Sequence, residues 1–362
     1  MTKRIISIAI MILMLASLAV PAMAASSPNE ARDSLVCIDV IFQDEDNNAN
    51  HKYCIPKDEV KTHEYAITHN KFPLSELADI TRTAGSGSGF FVGNDGENPQ
   101  YLITNHHVVD LYMDCGQGDR FTIFDPSRLS YYTGRAKIYG LFSDDSYKEL
   151  YVVDSDEKKD LAVLKLAEPT SKRKPLTLTV PDDNMVGEKI YALGYPGLSI
   201  TNFAKPTELT GISSVSIKDG VIGKLFVNTG SGRNDIEMTC DIQHGHSGGP
   251  LVTEDGNVIG VNEKIVTTSY SELTDNGYVV KEMEKNTYGI NISEAIDILK
   301  KNDISYALSE NKPSKKNTTE PVPAPQPTND NTLMFVIIAI AAVIVIAAVV
   351  IIIIIVTKKN KK

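Results

Sequence analysis

The residues most able to do chemistry lie in Gly245-His246-Ser247-Gly248-Gly249-Pro250, where a serine sits among three glycines. Glycine tolerates backbone shapes closed to other residues and leaves neighbouring peptide N–H groups uncovered. A serine hydroxyl is a weak nucleophile until a base takes its proton and donors hold the oxyanion that follows. The N–H groups of Gly245 and Ser247 can supply the donors. The base must come from one of seven histidines, at 51, 63, 69, 106, 107, 244 and 246, and none of them follows Ser247.

That order decides between two readings. Gly245–Gly249 also fits a Gly-x-Ser-x-Gly elbow, but in α/β hydrolases the histidine comes after the serine. Here the base is upstream, in the order His…Asp…Ser. Three upstream segments complete the pattern: Gly85-Ser86-Gly87-Ser88-Gly89-Phe90, then Thr104-Asn105-His106-His107-Val108 closing an apolar strand, then Asp160-Leu161-Ala162 opening another. Each motif alone is commonplace, and a serine- and glycine-rich loop is usually only a turn. Their shared order, with 53 residues from His107 to Asp160 and 87 more to Ser247, is not commonplace.

In these motifs the chain resembles the trypsin-like serine proteases, specifically their HtrA-like and glutamyl-endopeptidase-like branches, over residues 33–300 or so. The resemblance implies an all-β fold of two six-stranded antiparallel β-barrels of chymotrypsin type with a short C-terminal helix. It makes His107 the general base, Asp160 the carboxylate that orients it and Ser247 the nucleophile, with Gly245 and Ser247 forming the oxyanion hole. His106 is the competing base; on a strand the two histidines point opposite ways, so only one faces the cleft. Asp154 and Asp156 are the competing carboxylates. Asp241, six residues before Ser247, implies a pocket for Lys or Arg, and Val261 and Asn262 imply its wall. His246 replaces the aspartate that many relatives pair with a freshly cut N-terminus, so activation by that route is not expected. His244 and His246 are expected in solvent.

The elements that position these groups follow in order. Residues 1–24 have a basic start, an apolar core and Ala22-Met23-Ala24, the pattern of a secretory signal. The protease domain is expected over 25–308, with barrel one at about 33–170, barrel two at about 185–292 and a helix at about 293–302 capped by Ser293. Helical periodicity is otherwise nearly absent. Strands at Ser34–Phe42 and Tyr53–Ile55 read as a hairpin bringing Cys37 to Cys54, with Cys115 and Cys240 paired or free; residues 57–84 have no assigned role. Residues 309–331 are a linker rich in proline, lysine, threonine and asparagine. No region of PDZ size is expected after the protease domain.

Residues 332–356 include 24 uninterrupted apolar residues, Leu333–Val356, and 357–362 hold four lysines. The apolar run would make a helix about 36 Å long, enough to span a bilayer. The lysines put the C-terminus in the cytoplasm. The expected protein is therefore a membrane-anchored, extracytoplasmic endopeptidase acting on proteins or peptides near the outer membrane face. The alternative is an inactive module that binds peptides in the same cleft. Between signal and anchor, 46 acidic against 30 basic residues leave a net charge of −16. This argues against nucleic acid as a partner. No metal or organic cofactor is called for: the four cysteines lack zinc-ligand spacing.

Overall fold

The computed structural model describes residues 25–309, except 45–49, 52, 69–81, 84, 126–129, 143–146, 197–213 and 275–276. Six strands form the first barrel: β1 (Leu35–Asp44), β2 (Ser86–Val92), β3 (Tyr101–Thr104), β4 (Ser130–Leu141), β5 (Tyr147–Asp156) and β6 (Leu161–Leu166). They run in the order β1-β2-β3-β6-β5-β4, and the pairing of β1 with β4, from Cys37↔Leu141 to Asp44↔Gly134, closes the ring. Six more form the second: β7 (Lys189–Gly194), β8 (Ser216–Val227), β9 (Asn234–Met238), β10 (Pro250–Thr253), β11 (Val258–Thr274) and β12 (Gly277–Asn291). Their closed order, β7-β8-β9-β12-β11-β10, repeats that of the first barrel.

Alternation along the strands explains where the core lies. On β1, Val36, Ile38, Val40 and Phe42 point into barrel one with Phe91, Leu102 and Leu164. Leu35 and Cys37 point the other way, into a second cluster shared by Phe90, Ile103 and Val163 of barrel one and Leu193, Val252 and Val261 of barrel two. Strands buried on both faces read as continuous apolar runs, as Leu161–Leu164 does. Each fully buried aliphatic side chain contributes about 1.5–3 kcal/mol, so the shared cluster holds the barrels as one body. The connection between them joins in, with Leu176 and Leu178 buried in the same cluster.

Three expectations are corrected. The apolar run before the histidine pair stops at Thr104, and α2 (His106–Asp114) follows, after α1 (Lys57–Thr68). Two β-branched valines in a nine-residue helix hid its period. The C-terminal helix, α3 (Ile292–Lys301), is capped by Asn291, whose side chain accepts from the Ser293 N–H at 3.0 Å, not by Ser293. The disulfide joins Cys54 to Cys115, while Cys37 and Cys240 are free and buried. The expected hairpin fails for a geometric reason. β1 pairs with Asn50–His51, whereas Tyr53–Cys54 pairs with Arg82–Thr83, and Cys37 faces the inter-barrel cluster.

The proposed signal, the linker beyond residue 309, the apolar run and the basic tail lie outside the described residues. Among the described residues, no helix is long and apolar enough to cross a membrane.

Candidate active site

The nucleophile loop depends on two glycines in the left-handed region, Gly245 at φ +97° and Gly248 at φ +82°. A side chain at Gly245 would collide with the Tyr195 carbonyl, and one at Gly248 with the Ser88 carbonyl. The loop is pinned from below. Gly248 N–H donates to Asn262 O at 3.0 Å, Asn262 N–H donates to Gly249 O at 2.8 Å, and Asn262 Nδ2 donates to Leu193 O at 2.9 Å. Among the described residues, the N–H groups of Gly245 and Ser247 make no hydrogen bond. Both remain available for an incoming oxyanion.

His107 stands at the start of α2, where Asp160 grips it twice. Asp160 Oδ1 accepts from the His107 backbone N–H at 2.9 Å, and Oδ2 lies 2.8 Å from Nδ1. A proton on Nδ1 shared with the carboxylate leaves Nε2 as the lone-pair nitrogen. Burial alone would pull the imidazole pKa down; the hydrogen bond and charge of Asp160, helped by Asp110 and Glu263, outweigh it and raise the pKa above 6.5. Asp160 itself sits at φ +53°, a left-handed conformation that aspartate tolerates better than most residues. Its carbonyl is held by Asn105 Nδ2 at 2.9 Å. The competitors turn elsewhere: His106 Nδ1 lies 2.6 Å from Ser155 Oγ, Asp154 meets Lys301 at 2.8 Å, and Asp156 accepts from the Lys159 N–H at 2.9 Å.

His107 and Ser247 line one cleft of about 650 Å³. The hydroxyl of Ser247, however, donates to Glu263 O at 3.0 Å, and among the described residues no hydrogen bond joins it to His107. Catalytic contacts are often loose until substrate is bound.

The expected specificity residues are placed differently. Asp241 is exposed and ion-paired with Lys285, outside the cleft lining, while Lys285 itself is part of that lining. Val261 points into the inter-barrel core, and Asn262 is buried as the loop brace. A bulge between Asn262 and Lys264 re-aims this strand, so Glu263 and Lys264 line the cleft instead. His246, expected in solvent, is fully buried, and burial lowers its pKa to about 4. Its Nδ1 lies 3.2 Å from the Gln243 carbonyl, so it is packed beneath the loop.

Sequence reasoning missed one further group. Arg233, almost fully buried, reaches Asp235 Oδ1 at 2.5 Å and Glu263 Oε2 at 2.7 Å, and donates to Lys159 O at 2.8 Å. Lys159 Nζ meets Glu294 of α3 at 2.7 Å. A residue of barrel two and one of α3 thus hold the residue beside Asp160 from two sides. No local pattern marks Arg233; its partners are 2, 30 and 74 positions away.

Two closed barrels of the same strand order, with a histidine–aspartate pair on one and a glycine-flanked serine on the other, define the class of double-barrel, chymotrypsin-type proteins. Comparison with known sequences narrows this. Residues 87–261 match the family described as "Trypsin-like peptidase domain". The chain is 30% identical over 230 residues to "Serine protease HTRA1" of Xenopus tropicalis, which covers 63% of this chain and 42% of that protein. It is 34% identical over 204 residues to "Probable periplasmic serine endoprotease DegP-like" of Chlamydia muridarum, covering 56% and 32%. Among solved structures, "Crystal structure of Deg5" aligns at a TM-score of 0.40 and 20% identity, over 74% of this chain and 88% of that one. In these comparisons the chain is similar to trypsin-like serine proteases, among them HTRA1 and DegP-like proteins. It spans less than half the length of these curated relatives.

Proposed function

We propose that the protein is a serine endopeptidase that hydrolyses peptide bonds through an acyl-enzyme. Ser247 Oγ swings from Glu263 O towards His107 when substrate enters. His107 Nε2 takes its proton as the oxygen attacks the carbonyl carbon. Asp160 keeps the proton on Nδ1 and stabilises the imidazolium, and the N–H groups of Gly245 and Ser247 receive the oxyanion. His107 then protonates the leaving amine, and water repeats the sequence to free the acid. The observation that carries this reading is the two-point grip of Asp160 on His107, 2.9 Å to the backbone and 2.8 Å to the ring.

Substrate side chains beside Ser247 meet Lys264, Lys285 and His244, with Glu263 neutralised by Arg233 and Lys264. The reading therefore moves from Lys or Arg to acidic or neutral residues at that position. The N-terminal signal, the apolar run Leu333–Val356 and the terminal lysines support export and a single-pass anchor, with the protease domain outside the cytoplasm. The domain limits at 24, 308, 331 and 356 belong to the same proposal.

A fluorophosphonate probe on the full-length protein in membranes tests the chemistry. Labelling is expected for the wild type and absent in Ser247→Ala. One observation favours the inactive, peptide-binding alternative: the Ser247 hydroxyl rests on Glu263 O. A wild type that takes no label yet binds peptides would establish that alternative. Protease digestion of sealed vesicles tests the topology.

A further inference from the structure

We propose that Ser88, in the Gly-Ser-Gly-Ser-Gly stretch of β2, is a positioning residue that sets the oxyanion hole from the opposite barrel. It is fully buried, and all its hydrogen-bonding groups are committed. Its N–H donates to Ser247 O at 2.8 Å. Its carbonyl accepts from Thr104 Oγ1 at 2.8 Å. Its hydroxyl donates to Gly245 O at 2.6 Å and accepts from the Tyr195 N–H at 2.9 Å. A single residue of barrel one thus holds the carbonyls of the two residues whose N–H groups are the proposed oxyanion donors. This inference rests on the peptidase reading.

The hydroxyl is needed because one small atom must donate and accept at once. The peptide between Gly245 and His246 is fixed at both ends, its carbonyl by Ser88 Oγ and its N–H by Gln243 O at 3.0 Å. Gly245 has no side chain to restrict it, so these bonds, and the Tyr195 carbonyl packed against its α-carbon, define its orientation. Loss of the hydroxyl leaves Gly245 O and Tyr195 N–H buried without a partner and frees the backbone next to the donor. Ser88 touches neither substrate nor His107 in this arrangement. Its removal acts on the transition state and leaves ground-state binding and the proton-transfer pair alone.

The test compares wild type with Ser88→Ala and the near-isosteric Ser88→Cys in the full-length protein, on a peptide substrate identified for the wild type. We expect kcat to fall roughly 10- to 100-fold with KM within about twofold, the signature of an interaction made only in the transition state. Affinity for a peptide boronate, whose tetrahedral adduct places an oxygen in the hole, should fall by the same factor. Affinity for the product peptide and the midpoint of the kcat/KM pH profile should not move. Ser88→Thr, which keeps the hydroxyl, should recover part of the loss. If either hydroxyl-free variant folds and retains wild-type kcat, the positioning role is wrong. It is equally wrong if boronate and product-peptide affinity fall together, because that is general damage. A wild type that hydrolyses nothing and takes no fluorophosphonate overturns the peptidase reading and this inference together, an outcome distinct from an active wild type with an equally active Ser88→Ala.

Discussion

Two clefts meet at His107 and differ in charge. The one beside Ser247, about 650 Å³, is lined by Lys264, Lys285 and His244, with Glu263 the only acid among its described lining residues. The one beside Asp160, about 680 Å³, carries Asp110, Asp114, Glu157, Asp160 and Glu263 against Lys158, Lys264 and Arg233. Their volumes are alike, so size does little to separate what they accept. Charge does the separating, since groups of one sign around a concave surface attract the opposite sign. Glu263 belongs to both linings, and its carbonyl receives the Ser247 hydroxyl. The difference teaches that, on the peptidase reading proposed above, the side chains a substrate would meet are charged through a shared network around Glu263, with Asp241 outside the lining.

The largest effect comes from removing the nucleophile. Ser247→Ala should lower kcat on the order of 10⁶-fold while peptide still binds, which confines the chemistry to one cleft. Active-site titration checks it. Next is Asp160→Asn, expected to cost about 10⁴-fold in kcat because the amide favours the wrong imidazole tautomer. A loss below tenfold would detach the acidic cleft from catalysis. Third, Lys285→Glu should move the preference beside the scissile bond away from acidic side chains by roughly five- to tenfold, as one partly exposed charge is worth about 1 kcal/mol. A peptide library scored by kcat/KM reads this out, and an unchanged profile would sink the charge comparison.

The smallest effect is on pH. The base works only when His107 is neutral, and its pKa lies above 6.5, so the rising limb of kcat/KM should be centred above that value. In Asp160→Asn the upward influence of the carboxylate is lost and that of burial remains. The His107 titration, followed by NMR, should therefore move down.

The double barrel and the residues of the proposed triad were expected from a family resemblance, carried by three motifs in order that include Gly245–Gly249 and Asp160–Ala162. Helix α2 was not, since nine residues with paired valines look like a strand. The pocket wall was misread at Val261 because a bulge at Glu263 shifts the strand's alternation, and no residue type announces a bulge. Arg233 and Ser88 escaped for another reason. Their work is done on partners brought close only by the closure of two barrels, as when Ser88 meets Gly245 from 157 positions away.

The Cys54–Cys115 bond closes a span of 61 residues and fastens the far end of the helix whose first turn carries His107. Thiol reductants that cut this tie would let the helix fray from its distal turn, with the imidazole losing alignment before the barrels melt. Proteolytic competence would then be acquired only where oxidation occurs. On the proposed reading of an exported peptidase, a nascent chain in a reducing interior would be spared its own cutting machinery.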